Sequence, residues 1–216
     1  MTPSLEVDLC GVRLPTPVLA ASGCFGFGRE MASFLDLAQI GAVVTKSVSL
    51  EPRRGRPTPR MAETPSGMLN AIGLQNPGVE AFCREDLPVL GDAGADGLTL
   101  INTLLGMAVD VRRLRPKLAA VTGGLSGPAI RPIAVRCVWQ VARAMPEVPI
   151  VGAGGVVTGE DAAELLLAGA VAVQVGTANF ITPRATAEVA EGLRAYLESQ
   201  RLTSVTELPA LLKADP

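Results

Sequence analysis

The feature that most constrains this chain is a local pattern that recurs three times. A helical stretch ends at a glycine, a short apolar run follows, and the run ends in polar residues or glycine. The three runs lie at 43–46, 97–103 and 171–177. Glycine supplies the left-handed conformation that closes a helix, and an unbroken apolar run indicates a strand covered on both faces. The pattern therefore predicts repeated βα units around a parallel sheet.

Two more strands are predicted at 17–22 and 149–155, without the glycine that precedes the others. A small hairpin is expected at 5–14, because apolar residues alternate there around Cys10-Gly11. Helices are expected at 29–39, 78–90, 128–145 and 184–199, and Pro128 stands in the first turn of the third. A further helix is expected to begin after Thr158, which is a favourable capping residue. The five predicted strands fall short of a closed (β/α)₈ barrel, which has eight strands and typically about 250 residues.

Two long stretches rich in proline and glycine, 47–77 and 104–127, are expected to be irregular. Each follows the C-terminal end of a predicted strand. Long loops at that edge of a parallel sheet often carry binding and catalytic groups. We therefore expect a functional site in these stretches.

The composition excludes several classes of function. The net charge is −2 and only seven residues are aromatic, so the chain lacks the basic surface and stacking groups of a nucleic-acid-binding protein. Histidine is absent, which rules out Ser-His and Cys-His nucleophiles and histidine-ligated metals. No metal site is predicted, because no two of the four cysteines lie within ten residues of each other.

The cysteines are expected to be reduced thiols of a cytoplasmic protein, since the N-terminus does not resemble a signal peptide. No run approaches 18 apolar residues, so no membrane-spanning helix is predicted. Cys10, Cys83 and Cys137 are predicted to be small core residues. Cys24 stands at a strand end near a possible ligand, but no partner base for it is identifiable in the sequence.

Candidate ligand-binding residues stand at the ends of the predicted strands. Gly154-Gly155 and Gly176-Thr177 end the last two strands, where backbone N–H groups can approach a phosphate because glycine has no side chain. The alternative is that these glycines only cap strands.

Lys46 is a lone cation at the end of an apolar strand. It is expected to face an anion or an electron-rich ring, or else to extend to solvent at the rim of the sheet.

Amide side chains cluster in two other places. Asn70, Gln75 and Asn76 lie in one loop, and Asn102-Thr103 ends a predicted strand. Amides and hydroxyls suit a planar ligand with alternating carbonyl and N–H groups. Taken alone, either segment is better explained by ordinary turn chemistry.

Six segments match one known family in its own order and cover nearly the whole chain: 21–28, 58–78, 93–103, 122–129, 154–156 and 176–180. The second includes Asn70-Ala71-Ile72-Gly73-Leu74-Gln75-Asn76, and the fourth includes Thr122-Gly123-Gly124-Leu125-Ser126-Gly127. Through these motifs the chain resembles dihydroorotate dehydrogenase, in the form of the class 1B catalytic subunit. The resemblance implies a TIM barrel, (β/α)₈, that binds FMN. It also implies the oxidation of dihydroorotate to orotate in de novo pyrimidine biosynthesis.

The resemblance further implies that a base removes a proton from C5 of the substrate while hydride passes from C6 to the flavin. It implies a partner subunit that carries FAD and a 2Fe–2S cluster and passes electrons to NAD⁺. The full-length assembly would be a heterotetramer built around a homodimer of the catalytic subunit. By position, the residues expected to contact FMN are Ser22, Lys46, Ser47, Ile101, Gly127, Gly154, Gly155, Gly176 and Thr177. Those expected to contact the substrate are Lys46, Asn70, Ala71, Ile72, Gly73, Leu74, Asn102 and Thr103.

The chain departs from the family between Leu90 and Gly94, where several βα units are missing. The missing units would carry the third, fourth and fifth strands of the family and its Asn-x-Ser-Cys-Pro-Asn loop, which supplies the base. No catalytic base is therefore assigned in this chain. We expect one partial barrel domain over 1–216, interrupted near 91–94, with its strands in an open or distorted sheet. The expected order is that of family strands 6-7-8-1-2.

Two alternatives to an active dihydroorotate dehydrogenase stay open. The first is a catalytically inactive remnant of this fold that binds FMN or phosphate. The second is another pyrimidine-handling flavin barrel, such as a dihydropyrimidine dehydrogenase-like domain.

Overall fold

The computed structural model describes residues 2–26, 31, 33–47, 51–76, 98–144 and 146–212. The expected helix at 78–90, Cys83 and the junction near 91–94 lie outside the described residues. The strands, in chain order, are β1 (Val7–Leu9), β2 (Val12–Leu14), β3 (Val18–Ala20), β4 (Met61–Thr64), β5 (Gly67–Asn70), β6 (Leu98–Leu100), β7 (Leu104–Met107), β8 (Val109–Asp110), β9 (Arg115–Pro116), β10 (Thr122–Ser126), β11 (Ile150–Ala153) and β12 (Ala172–Val175). The α-helices are α1 (Arg131–Ala144), α2 (Gly159–Leu167), α3 (Ala178–Ile181) and α4 (Ala185–Ser199), and 3₁₀ helices cover Leu37–Gln39, Pro128–Ile130 and Val205–Ala210.

A four-stranded parallel sheet in the order β3-β12-β11-β6 forms the centre of the fold. Residues 42–44 add a short parallel contact on the outer side of β3, where Ala20 bridges to Val43. The Val44 N–H donates to the Ala20 carbonyl at 2.9 Å. The expected strand order 6-7-8-1-2 is therefore confirmed. Within the described residues no strand pairing closes this sheet into a barrel.

The core lies between the parallel sheet and the helices that connect its strands. Ala172, Val173 and Val175 of β12 are fully buried, as a strand covered on both faces requires. Helices α2 and α4 approach so closely that a Cβ on Gly159 would collide with the backbone of Gly192. In the described part of the chain, no helix combines the length and hydropathy of a membrane span.

A second sheet, antiparallel and in the order β4-β5-β10-β7, is built from the stretches expected to be irregular. The prediction of irregular structure at 47–77 and 104–127 is therefore wrong for these parts. Gly123 gives the physical reason. It lies within β10, where a Cβ would stand 2.6 Å from the Asn70 carbonyl oxygen of β5. Glycine inside a strand often marks such a close backbone approach, and its presence alone does not indicate a loop.

Several local predictions are confirmed. The β1–β2 hairpin turns at Cys10 and Gly11, which have positive φ angles of 54° and 83°. Thr158 begins α2 with a capping box, in which its hydroxyl and the Asp161 carboxylate each accept a backbone N–H of the other residue. The helix predicted at 128–145 is observed as a 3₁₀ turn followed by α1 through residue 144, and the helix at 184–199 is α4.

Two local predictions are wrong within the described residues. The helix expected at 29–39 is reduced there to the 3₁₀ turn Leu37–Gln39, because the Asp36 carboxylate accepts the Ala38 N–H (3.0 Å) and begins a new turn. The strand expected at 43–46 is not formed as a full strand, since its described pairing with β3 is limited to the bridge at Val43 and the backbone hydrogen bonds of residues 41–44. Within the described residues no strand pairs with the other side of this segment.

The open sheet predicts self-association. Within the described residues β6 is an outer strand, Leu98 keeps 39% of its surface exposed, and Thr99 is exposed. We expect concentration-dependent oligomers in size-exclusion chromatography with light scattering, because apolar edge strands recruit other chains. Thr99→Lys should shift the distribution toward monomer, whereas Ala195→Lys on the exposed surface of α4 should not. A parent protein that stays monomeric at every concentration would contradict this expectation.

Candidate functional site

The carboxyl ends of the parallel strands converge at one edge of the sheet, and predicted cofactor residues follow them. Ile101 comes after β6 and Gly154 after β11, and a Cβ on Gly154 would lie 3.4 Å from Ile101 Cγ1. Gly155 faces the turn before α1, since a Cβ there would lie 3.0 Å from the Gly127 carbonyl oxygen. The structure therefore brings these four residues together from three separate parts of the sequence.

Gly176 and Thr177 join the same place at the end of β12. The Thr177 hydroxyl donates to Ser126 Oγ at 2.8 Å, and Ser126 directly precedes Gly127. The Ser126 hydroxyl donates in turn to the Met68 carbonyl of β5 at 3.3 Å. We call the following set the glycine corner: Ile101, Gly127, Gly154, Gly155, Gly176 and Thr177.

The glycines of this corner are required for different reasons. Gly127, Gly154 and Gly155 have φ angles of 93°, 133° and 77°, and a Cβ on any of them would come within 2.8 Å of a neighbouring carbon atom. Gly176 has no such angle, and among the described residues a Cβ there would meet only Ala21 Cβ at 3.5 Å and Cys24 Sγ at 3.6 Å. The packing of the chain itself explains the first three glycines but leaves room for a methyl group at Gly176.

The turn after β12 is fixed by a buried polar pair that the sequence analysis missed. Asn179 Nδ2 donates to the Val175 carbonyl at 2.9 Å, and the Thr186 hydroxyl donates to Asn179 Oδ1 at 2.9 Å. Asn179 is 4% exposed and Thr186 is fully buried. Buried polar groups are costly unless they are paired, so the pair holds the backbone just before Gly176 in one arrangement. The available signal was Asn179 itself, a polar residue just after the Gly-Thr motif.

Lys46 lies beside the glycine corner. Its Nζ would stand 3.8 Å from a Cβ on Gly23, and the neighbouring Cys24 thiol borders Gly176. Burial raises the pKa of Cys24 to about 11, while the positive charge of Lys46 acts in the opposite direction. The thiol is therefore protonated at neutral pH. Lys46 brings positive charge to the same edge of the sheet as the corner.

Two of the predicted substrate segments meet at β10. Asn70 pairs in register with Gly124. Thr103 packs against the same glycine, since a Cβ on Gly124 would collide with the Thr103 side chain. Asn102 is adjacent, and its Oδ1 accepts the Thr103 N–H at 2.7 Å. The structure therefore brings Asn70, Asn102 and Thr103 together, although Asn102 also makes the turn contact that the alternative explanation predicted.

The rest of the predicted substrate loop lies against an arginine-rich segment. The Ala71 N–H donates to the Arg60 carbonyl at 2.8 Å, and the Ile72 carbonyl accepts the Arg56 N–H at 2.9 Å. A Cβ on Gly73 would stand 2.7 Å from Arg56 Cγ. A shallow depression in this region is lined by Arg53, Arg54, Gly55, Arg56, Gly73 and Leu74.

The remaining predicted residues, two serines and two cysteines, are compared with the structure by their exposure to solvent. Ser22 and Ser47 are exposed. Cys10 is also exposed, so its predicted place in the core is wrong, because it forms the tip of the β1–β2 hairpin. Cys137 on α1 is half-buried. Across the described ranges, no group of three or more His, Cys, Asp or Glu side chains could hold a metal ion.

The model of one protein family, dihydroorotate dehydrogenase, matches residues 4–92 and 86–197. A protein of Geotalea uraniireducens named dihydroorotate dehydrogenase B (NAD(+)), catalytic subunit, is 40% identical over 297 residues, covering 95% of this chain and 97% of the relative. The protein of that name from Pelobacter propionicus is 40% identical over 304 residues, covering 99% and 100%. The crystal structure of DHODH from Eimeria tenella in complex with ferulenol superposes with a TM-score of 0.74 at 18% identity, covering 94% of this chain and 87% of that one.

The family match makes the chain a member of an oxidoreductase family, and the solved structure it superposes on agrees with a fold of the TIM-barrel class. The chain belongs to the dihydroorotate dehydrogenase family, and its relatives are of the class 1B type. The predicted family and fold class are confirmed.

The alignments also bear on the length of this chain. The chain has 216 residues, so at least 88 positions of the 304-residue alignment have no counterpart in it. The two matches of the family model meet between residues 86 and 92. The interruption expected near 91–94 stays a prediction.

The raised pKa of Cys24 predicts a slow reaction with iodoacetamide. The thiolate is the reactive form, so we expect little alkylation of Cys24 at pH 8 and a rise only as the pH approaches about 11. The folded thiol keeps its proton above its ordinary pKa of 9.0, so its contribution to stability is fully present below pH 9 and is lost as pH rises through about 11. Peptide mapping measures the alkylation, with exposed Cys10 as the internal comparison. Equal labelling of both thiols at pH 8 would contradict the assignment.

Proposed function

We propose that this chain is a class 1B-type catalytic subunit whose glycine corner binds the phosphate of FMN and whose amide residues bind the substrate. The reaction of the family is the flavin-dependent oxidation of dihydroorotate to orotate, a step of pyrimidine biosynthesis. The name shared by the Geotalea and Pelobacter relatives supports both this substrate and the involvement of NAD⁺.

The observation that carries the FMN proposal is the room at Gly176. Among the described residues a methyl group there meets no atom closer than 3.5 Å, so their packing does not require glycine. Close approach of a ligand to the backbone does require it, as at other phosphate sites at strand ends. Thr177 adds a hydroxyl at the same point. These residues therefore fit a phosphate, and Ser22, Lys46 and Ser47 are proposed to contact the rest of the cofactor.

The substrate proposal rests on the groups that surround β10. Orotate is a planar anion with an imide, so it needs positive charge, hydrogen-bond donors and acceptors. Lys46 supplies the charge, while Asn70, Asn102 and Thr103 supply amide and hydroxyl groups. Ala71 through Leu74 are proposed to line the site from the side of the loop. When bound, FMN supplies the acceptor for the hydride that leaves the substrate.

We further propose that electrons pass through a partner subunit carrying FAD and a 2Fe–2S cluster to NAD⁺. The words "catalytic subunit" in the names of the relatives support the existence of a partner. The class 1B resemblance supports its cofactors, a homodimer within a heterotetramer, and a cytoplasmic location.

A second candidate function is a binding protein that retains FMN but does not turn over the substrate. The environment of Cys24 favours it, because burial raises the pKa of this thiol beside the corner to about 11 and so disfavours the thiolate that would accept the C5 proton. The loop that supplies the family base is proposed to lie in the missing segment. The third possibility, another pyrimidine-handling flavin barrel, is less well supported, since the relatives carry the class 1B name.

Gly176→Ala tests the FMN proposal. The variant should fold, since the added methyl group meets nothing closer than 3.5 Å. It should weaken FMN binding at least about ten-fold, because one charge-assisted hydrogen bond contributes roughly 1.5–3 kcal/mol. Riboflavin, which has no phosphate, should bind both proteins equally. Flavin fluorescence titration measures affinity, and Gly106→Ala in β7 is the matched control. Equal FMN affinity of the variant and the parent would refute the phosphate assignment.

The missing base predicts slow turnover. A general base contributes about 10²–10⁴-fold, so dihydroorotate oxidation should fall by at least that factor relative to the Pelobacter relative. Orotate should still perturb the flavin spectrum of the FMN-loaded protein, and Lys46→Met should weaken that binding. Cys24→Ser should leave the residual rate unchanged. A rate equal to that of the relative would contradict the account, and an absent orotate signal would favour the pure cofactor-binding function.

A further inference from the structure

A chain of two hydrogen bonds, made by the hydroxyl groups of Thr177 and Ser126, connects the glycine corner to β5, the strand that carries Asn70. Thr177 donates to Ser126 at 2.8 Å, and Ser126 donates to the Met68 carbonyl at 3.3 Å. Both bonds are partly buried, and they join residues 51 and 58 positions apart in the sequence. Neither sequence reasoning nor the comparisons assign a role to the Ser126 side chain.

The backbone supports the same connection. Ser126 is paired in register with Met68 at one end of the β5–β10 ladder, and Gly124 is paired with Asn70 two residues further along. A Cβ on Gly127 would lie 2.7 Å from Gly67 Cα, so the corner also touches the start of β5 directly. A change at the corner therefore reaches the hairpin β4–β5 without any intervening flexible segment.

We propose that Ser126 is a positioning residue that couples phosphate binding at Thr177 to the placement of the β4–β5 hairpin and of Asn70. This inference rests on the proposed function, because it assumes that the corner holds the phosphate of FMN and that Asn70 contacts the substrate. Ser126 acts through Thr177 and Met68, and needs no contact of its own with substrate.

The coupling arises because each of the two hydroxyl groups has a single proton to donate. Each hydroxyl has one proton to donate, and here Thr177 donates to Ser126 and Ser126 donates to Met68. A phosphate dianion only accepts hydrogen bonds, so it engages the Thr177 hydroxyl only when that proton turns away from Ser126. Ser126 can then donate to the freed Thr177 oxygen, and the Met68 carbonyl loses its side-chain donor. The hairpin thus has two hydrogen-bonding states that phosphate selects between.

Coupling of this kind is reciprocal. If phosphate at the corner changes the affinity for orotate by some factor, orotate changes the affinity for FMN by the same factor. Riboflavin provides the reference state, because it carries the same ring system without the phosphate. The ratio of orotate affinities between the FMN-loaded and riboflavin-loaded proteins therefore measures the coupling.

The first test needs no flavin. Hydrogen–deuterium exchange of peptide 61–70 is measured in the parent, Ser126→Ala, Thr177→Val and the double variant. We expect about three- to ten-fold faster exchange in Ser126→Ala, as the loss of one hydrogen bond implies. Thr177→Val should raise the exchange rate by less than Ser126→Ala does, because Thr177 acts on the hairpin only through Ser126. The double variant should exchange no faster than Ser126→Ala. Ser126→Thr, which keeps the hydroxyl, should restore the parent rate.

Ser199→Ala is the matched control for this experiment. It also removes a hydroxyl that donates to a backbone carbonyl, that of Tyr196 at 2.7 Å, but at the far end of α4. It should not alter exchange at 61–70. The inference is overturned if Ser126→Ala leaves that exchange unchanged, or if Thr177→Val still raises it in the absence of the Ser126 hydroxyl.

The second test uses the flavin-loaded protein. In the parent, the dissociation constant of orotate should differ at least about three-fold between the FMN and riboflavin forms. In Ser126→Ala this ratio should fall to one, while riboflavin affinity stays unchanged. An equal ratio in the two proteins overturns the coupling. A parent protein that binds no FMN overturns the proposed function instead, and the exchange experiment then decides the role of Ser126 alone.

Discussion

Parallel pairing of β3, β12, β11 and β6 is the constraint on which the rest of the structure depends. Parallel strands end at the same edge of a sheet, so segments far apart in the sequence are brought together wherever they leave the sheet. Ile101 and Gly154 approach each other for this reason, and Gly176 follows the adjacent strand β12 at the same edge. The same pairing explains how a chain at least 88 positions shorter than its alignment with a relative keeps these residues together, since the described parallel strands are neighbours.

The glycine corner shows how a fold requirement and a binding requirement can be separated. Gly127, Gly154 and Gly155 are needed because of positive φ angles and close backbone contacts, whatever the protein binds. Within the described residues Gly176 is subject to neither constraint, which supports the proposal of a ligand beside it. Lys46 provides positive charge beside it for an anion, while burial raises the pKa of the neighbouring Cys24 thiol and disfavours its thiolate form.

Sequence reasoning succeeded where one local signal determined the structure. The glycine-terminated helices and apolar runs predicted a parallel sheet, and Thr158 with Asp161 predicted the start of α2. The order of the strands came from the family resemblance, not from the local pattern. Sequence reasoning failed where tertiary contacts decided the outcome. Gly123 lies in a strand because the backbone of β5 approaches it. The Asp36 carboxylate is a different case, since it begins a turn through a local contact inside a segment with an apparently helical pattern. The contact between Thr177 and Ser126 joins two sheets, and no local pattern in either segment could have predicted it.

The central claim is that the open parallel sheet keeps a phosphate site at the ends of its last two strands. A crystal structure of the protein grown with FMN tests it most directly. The account predicts phosphate density in the glycine corner, within hydrogen-bond distance of the Thr177 hydroxyl and next to Gly176. Density for the phosphate elsewhere on the protein, or a flavin bound with its phosphate in solvent, would contradict the account.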